Sequence, residues 1–418
     1  MTIRKQSLKD LAIFGGEPAF PEHLHVGRPN VGDRERLFER IDDILSRRWL
    51  TNHGPYVCEL ERRIADLQAV KHCVVTCNGT IALQIGIRAL GLSGEVILPS
   101  FTFVATAHAL EWLGITPVFC DVSASDHNID PRQVEKLITP RTSGIMGVHL
   151  WGRPCDVASL EEIAARHRIH LMFDAAHAFA CSYNQRMIGN FGSLEVLSFH
   201  ATKFFNTFEG GAIVTNDDLV ATRARQMRDY GYDRNDDVVS GGTNGKMNEV
   251  SAAMGLTGLE SLDEFMAANR RNNQDYRTQL ANLPGVRMAA FDEEESNCQY
   301  VVVEIDESQS GIGRDRLMEV LHAEKVLARR YFYPGCHRGE PYRSRYPALR
   351  LPVTEALCER VLTLPTGTAV EAETVAAICD LIRFAVRHGS EISESALPRR
   401  KTNRNVPKSD LAVDAILS

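Results

Sequence analysis

Seven short apolar runs, separated by helix-like stretches, constrain this chain more than any other feature. The runs are Cys73–Thr76, Glu95–Pro99, Pro117–Val122, Gly144–Leu150, His170–Asp174, Glu195–Phe199 and Ala212–Thr215. Each has the length of a buried strand, and few alternate polar with apolar residues. Continuous apolar strands belong to a sheet covered on both faces. The stretches between them, such as Ile81–Leu90, Thr106–Leu113 and Ala158–Arg168, have helical character. Strand alternating with helix predicts an α/β fold built on a mostly parallel sheet of roughly seven strands.

The texture changes after Asn244. Val250, Met254, Leu259, Leu262 and Phe265 lie near helical spacing and predict one long helix that continues, more polar, through Arg270–Gln279. A strand at Tyr300–Ile305 and helices at Asp315–Glu324 and Thr374–Val386 predict a smaller α+β unit. We therefore expect a large α/β domain over residues 1–255, including an N-terminal arm. A small C-terminal domain is expected over 256–389, and a polar, disordered tail with a docking turn at Leu411–Leu417 over 390–418.

A net charge of −7 argues against a protein that coats nucleic acid or acidic membranes. No apolar run reaches the length of about 18 residues that a membrane span needs. Arg4, Lys5 and Lys9 are followed by no apolar stretch, so a secretory leader is not expected. The ten cysteines are scattered with no CxxC, which predicts buried thiols in a reducing cytoplasm and no metal site.

An α/β sheet binds ligands at the carboxyl ends of its strands. Four strand exits carry residues with chemistry. Cys77-Asn78-Gly79-Thr80 opens a helix, where free N–H groups favour an anion; a plain helix cap is the alternative. Asp174 closes an apolar strand, as a buried partner for a cation or as the cap of the next turn. Lys203, in Ser198-Phe199-His200-Ala201-Thr202-Lys203, is a surface lysine or a desolvated amine that forms imines with carbonyls. Phe103 stacks on a flat ring or belongs to the core. No GxGxxG follows a strand, and Ser240–Lys246 departs from a phosphate loop at Ser240 and at Met247. Together, the four exits match what pyridoxal 5′-phosphate (PLP) requires.

The sequence resembles the DegT/DnrJ/EryC1/StrS sugar aminotransferases, of fold type I (aspartate aminotransferase-like). The motifs are Cys77–Leu83, Pro99–Thr106, Phe173–Ala178, Ser198–Lys203 and Glu209–Ala212. The resemblance implies that Lys203 forms the imine link to PLP and Asp174 pairs with its ring nitrogen. It further implies that Gly79, Thr80 and Ser198 hold the phosphate, Phe103 stacks on the ring, and His177 sits beside the cofactor. It implies a homodimer in which Asn244, within Gly242-Thr243-Asn244-Gly245-Lys246-Met247, reaches the partner's site. Val148–Cys155, Gly242–Met247 and Tyr333–His337 look like the 4-aminotransferases of desosamine and viosamine biosynthesis. These act on dTDP-4-keto-6-deoxy-D-glucose with glutamate as donor and give dTDP-4-amino-4,6-dideoxy-D-glucose. Lys246, Arg330, Tyr333 and His337 are the candidates for the sugar nucleotide, with surface or packing roles as the alternatives for Arg330 and His337. Two other readings are a 3-keto sugar aminotransferase and a non-catalytic regulatory protein on the same scaffold. The presence of Lys203 counts against a dehydratase of this family.

Overall fold

The computed structural model of the protein describes residues 5–290, 292 and 294–395. Seven strands form the main sheet: β1 (His72–Thr76), β2 (Glu95–Pro99), β3 (Thr116–Cys120), β4 (Thr142–Val148), β5 (His170–Asp174), β6 (Leu194–Ser198) and β7 (Gly211–Thr215). Their order is β1-β7-β6-β5-β4-β2-β3, and β7 runs antiparallel to both of its neighbours. The fold is the expected α/β class with a mostly parallel sheet.

Helices on both faces explain the continuous apolar strands. Val74 and Met172 point into one core with Ile85 and Leu110. Their neighbours Val75 and Phe173 point into the other, with Leu60, Leu160 and Leu256. Successive side chains leave opposite faces, so both sets must be apolar. Each full burial contributes roughly 1.5–3 kcal/mol.

The expected long helix after Asn244 is two helices, Glu249–Glu260 and Leu262–Leu280, separated at Ser261 (φ −106°, ψ 10°). A helix that is buried on nearly all sides, packed on the helices Arg34–Arg47 and Pro55–Gln68, here gives way to one with a polar outer face. We place the change of unit at this break, close to the expected point. The second unit has an antiparallel three-stranded sheet of Val286–Met288, Val301–Ile305 and Val361–Leu364. Helices Leu262–Leu280, Arg314–Ala323 and Ala372–Arg387 pack on it.

The N-terminal arm differs from expectation. Leu11, Ala19 and Phe20 are buried in the core of the smaller unit. The buried Glu324 carboxylate accepts hydrogen bonds from the N–H groups of Ala12 (2.8 Å) and Ala19 (2.6 Å) and pairs with Lys5 (3.0 Å). Scattered apolar residues in an irregular segment carry no periodicity that could have assigned it. The arm then crosses to the large unit, where the Asn30 amide donates to the Phe204 carbonyl (2.9 Å) and the Asn206 amide donates to the Asn30 carbonyl (2.9 Å), beside Lys203. At the other end, Gly389–Glu394 is a short helix with Ile392 buried, so folded chain continues past residue 390. The turn expected at Leu411–Leu417 lies outside the described residues.

Among the described residues no helix is long and apolar enough to cross a membrane. The ten cysteines are unbridged thiols, eight of them buried.

Candidate active site

The exits of β1, β2, β5 and β6 converge on a cavity of about 380 Å³, closed on one side by residues of the smaller unit. Its floor is an anion cradle. Asn78 caps the helix Gly79–Ala89 by accepting from the Ile81 N–H (2.9 Å). That leaves the amides of Gly79 and Thr80, at the positive end of the helix, facing the cavity. Ser198, the last residue of β6, lies across from them. A Cβ on Gly79 would come within 3.0 Å of the Ser198 Cβ. One on Gly211, at the start of β7, would come within 2.7 Å of the Gly79 nitrogen. Glycine at both places lets helix mouth and strand close together, which gives Glu209-Gly210-Gly211 its physical reason.

Asp174 ends β5, 6% exposed. Its Oδ2 accepts from the Thr106 hydroxyl (2.8 Å) and its Oδ1 from the Ala176 N–H (3.1 Å). Burial raises its pKa; Thr106, Ala176 and Lys203 oppose that rise. Lys203 sits in the turn after β6, its N–H bonded to the His200 carbonyl (2.8 Å). Burial pulls its amine from the ordinary 10.5 down to about 8, so free base is far more available near neutral pH than for a solvated lysine. Its Nζ lies 3.3 Å from the Tyr300 hydroxyl.

His177 follows β5 on a turn. Its Nδ1 accepts from the Trp151 N–H (3.1 Å), which leaves Nε2 as the protonated nitrogen of the neutral ring. Burial and the nearby Lys203 hold its pKa well below the usual range. The ring stacks on Phe332 (5.8 Å, 7°) and tilts against Tyr300 (4.8 Å, 57°). Phe103, 47% exposed at the mouth, faces Phe332 at 6.3 Å.

A family model for the DegT/DnrJ/EryC1/StrS aminotransferase family matches residues 32–383. The chain belongs to that family. Its similarity to individual members covers nearly the whole of each. A dTDP-4-amino-4,6-dideoxy-D-glucose transaminase of Shigella dysenteriae is 36% identical over 361 residues, 86% of this chain and 98% of the relative. A GDP-perosamine synthase of Caulobacter vibrioides is 34% identical over 372 residues, with the same coverage. The crystal structure of DesI in the presence of its TDP-sugar product matches with a TM-score of 0.90 at 52% identity. It covers 93% of this chain and 99% of the DesI chain.

Of the residues singled out from sequence, Gly79, Thr80, Phe103, Asp174, His177, Ser198 and Lys203 line this one cavity. The others lie elsewhere in the same chain. Asn244 is exposed, bridged to Asp229. Lys246 pairs with Asp229 (2.8 Å) and lies 4.4 Å from the centre of the Tyr230 ring. Arg330 bonds Asp315 (3.3 Å) and covers Tyr333, which is 42% exposed. His337 is buried between the Ser100 hydroxyl (2.6 Å) and Glu355 (3.1 Å), the arrangement of a packed loop histidine. The sequence reading missed Thr106 as a partner of Asp174, and Tyr300, Tyr331 and Phe332 as a wall. Thr106 lay inside a motif already singled out. The aromatic wall comes from the other unit, and no sequence spacing connects it to Lys203.

Proposed function

We propose that the chain is a PLP-dependent aminotransferase acting on a nucleotide-linked 4-keto-6-deoxy sugar, dTDP-4-keto-6-deoxy-D-glucose, with glutamate as amino donor. The observation that carries this reading is the meeting of a buried Asp174 and a half-buried Lys203 at the mouths of adjacent strands, opposite the helix cradle. The residues fit the cofactor. The cradle offers N–H groups at a helix N-terminus, where an anion is favoured. Asp174 keeps lone pairs beyond its bonds to Thr106 and Ala176, and Phe103 and His177 present flat faces. When bound, PLP supplies the electron sink that lets a C–H bond next to the transferred nitrogen break.

The chain's own groups supply the rest. Gly79 and Thr80 amides with the Ser198 hydroxyl hold the phosphate without a formal charge. Asp174 keeps the ring nitrogen protonated, held in place by Thr106. The neutral His177, with Nδ1 taken by the Trp151 N–H, would present its Nε2–H as a donor beside the cofactor. Lys203 would hold the cofactor covalently, and its amine, lowered by burial to about 8, could take and return a proton as the free base. Tyr300, Tyr331 and Phe332 exclude water from that side.

The sugar and its position of amination come from the relatives. The Shigella protein is named for that product, and DesI binds a TDP-sugar. We place the nucleotide near a second copy of the chain. Asn244 and Lys246 lie outside the pocket of their own chain, so a role at a site places them at a neighbour's. Phe38, Leu45, Trp49, Leu50, Tyr230 and Val238 are apolar or aromatic side chains left exposed, which supports a homodimer.

The test is spectroscopic and then preparative. Holoprotein should absorb in the visible, glutamate should bleach it, and adding dTDP-4-keto-6-deoxy-D-glucose should restore the colour with formation of the 4-amino sugar. A panel of 3-keto and 4-keto nucleotide sugars identifies the acceptor. Bleaching without turnover of any 4-keto sugar would reject the substrate assignment. Failure of Lys203→Ala to abolish turnover would reject the site.

A further inference from the structure

Lys203 and Tyr300 meet from different units of the fold. Tyr300 immediately precedes the strand Val301–Ile305 of the smaller unit, and its hydroxyl lies 3.3 Å from Lys203 Nζ in the wall of the large-unit pocket. Its position is well fixed. Three residues upstream, the Asn297 amide donates to the carbonyls of His177 (3.0 Å) and Phe179 (2.9 Å). Gln299 donates to the same His177 carbonyl (2.5 Å). The segment is thus tied to the loop that carries His177, and the Tyr300 ring packs on that histidine. Tyr300 is 6% exposed, and burial raises its own pKa, so it remains a neutral phenol.

We propose that Tyr300 is the positioning residue for Lys203, holding its amine in place whenever it is not linked to the cofactor. This rests on the reading of Lys203 given above. A lysine that must let go of the cofactor and then move a proton needs a fixed resting point. A long side chain has rotamer freedom that would otherwise spread the amine over several positions. A phenol suits this use: its oxygen accepts from the ammonium form and its O–H donates to the free base. The bond to the charged form is the stronger of the two. Loss of the hydroxyl should therefore favour the free base. Other ionisable groups facing the amine are Asp174 at the end of β5, His177 on the following turn and Tyr331 of the smaller unit; His200 and Glu209 line the same cavity. Each is retained when Tyr300 alone loses its oxygen.

The test uses apoprotein. Trace acetylation of Lys203 by acetic anhydride, read by peptide mass spectrometry against pH, reports the midpoint at which the amine becomes free. Tyr300→Phe should lower that midpoint by about one pH unit, the size expected for one hydrogen bond to a charged group. Tyr331→Phe should move it by less than Tyr300→Phe does. In holoprotein the glutamate half-reaction of Tyr300→Phe should slow by about tenfold at saturation, with little change in the apparent affinity for glutamate. Replacing Tyr300 by 3-fluorotyrosine, whose oxygen is a poorer acceptor, should move the midpoint the same way by less, even if the phenylalanine variant fails to fold. An unchanged midpoint in the folded Tyr300 variants, or a larger shift produced by Tyr331→Phe, overturns the proposal. Borohydride reduction of holoprotein with peptide mapping separates the two readings. Label on another lysine defeats the cofactor site, whereas label on Lys203 with an unmoved midpoint defeats only the role of Tyr300.

Discussion

Replacing Gly211 by alanine should weaken PLP binding without touching any group that contacts the cofactor. A Cβ built there would lie 2.7 Å from the Gly79 nitrogen, 2.8 Å from the Asn78 carbonyl carbon and 2.8 Å from the Gly79 Cα. Ordinary contacts begin near 3.4 Å, so the helix mouth must withdraw by about 0.6–0.7 Å. The obstacles are backbone atoms on both sides, one in a paired strand and the other in a capped helix, so no side chain can swing away. Overpacking of this kind costs about 1–3 kcal/mol. If the structure yields by moving the Gly79 and Thr80 amides away from the cavity, that cost is felt in binding as roughly 5- to 150-fold weaker PLP. Titrating apoprotein with PLP and following visible absorbance measures the change, and a melting curve of the apoprotein measures how much falls on stability instead. Gly339→Ala is the control, since the added Cβ meets the Cys336 carbonyl oxygen at 3.5 Å, an ordinary contact. A Gly211→Ala protein with wild-type affinity and wild-type melting would show that the strand and the cradle are not coupled as described.

Three further outcomes follow from the same geometry. Asp174→Asn should lower the rate of the glutamate half-reaction by about 100-fold or more, roughly 3 kcal/mol of transition-state stabilisation, because an amide cannot hold a ring N–H; stopped-flow bleaching measures it, and a rate within threefold of wild type would leave Asp174 as a turn cap only. Lys203 has a pKa near 8 rather than 10.5, so free base is lost as pH falls through about 8; the rate at which apoprotein captures PLP should rise to a plateau just above that pH, whereas continued increase beyond about pH 10 would mark a solvated lysine. Mixing Lys203→Ala with Asn244→Ala protein under subunit exchange should restore activity to one site of each heterodimer if Asn244 serves the partner and its own loss is severe; no recovery despite proven exchange counts against a shared site.

The sheet was legible in the sequence because both of its faces are covered. Every strand residue between Val96 and Leu98, or between Leu171 and Phe173, had to be apolar, and turns with polar chemistry had to separate the runs. Gly79, Thr80, Phe103, Asp174 and Lys203 were legible for a related reason: a strand exit is a place in the sequence as well as in space, whereas the roles of His177 and Ser198 came from the family resemblance alone. Asp174 and Lys203 each follow an apolar run and so could be placed at its mouth. What crosses from one unit to the other was not legible. Tyr300, Phe332 and the arm residues Leu11 and Phe20 reach their partners through contacts that depend on how two units dock, and no periodicity encodes docking. His337 illustrates the converse. Its segment matched a pattern, yet the Ser100 hydroxyl and Glu355 already occupy both ring nitrogens inside the packed interface.

The charge of the pocket bears on the proposed division of labour between one chain and a second. Among the described residues that line it, Lys203 is the one Lys or Arg, and Asp174 and Glu209 are also present. A phosphate entering this cavity is therefore met by neutral donors: two helix amides and a hydroxyl. That suits a cofactor that must stay while substrates come and go, and it leaves burial as the main influence on the lysine, whose pKa it lowers against the opposing pull of Asp174. A glutamate carboxylate and a nucleotide diphosphate have no such constraint, but they need positive charge that the cavity's own lining does not provide. The cation must then come from outside the lining. Lys246, half-buried against Tyr230 on the outer surface and balanced only by Asp229, lies beside the exposed Asn244 on a segment whose backbone is fixed to the large unit through Arg228 and Cys77. This placement is what the proposed sharing of the site between two copies of the chain requires.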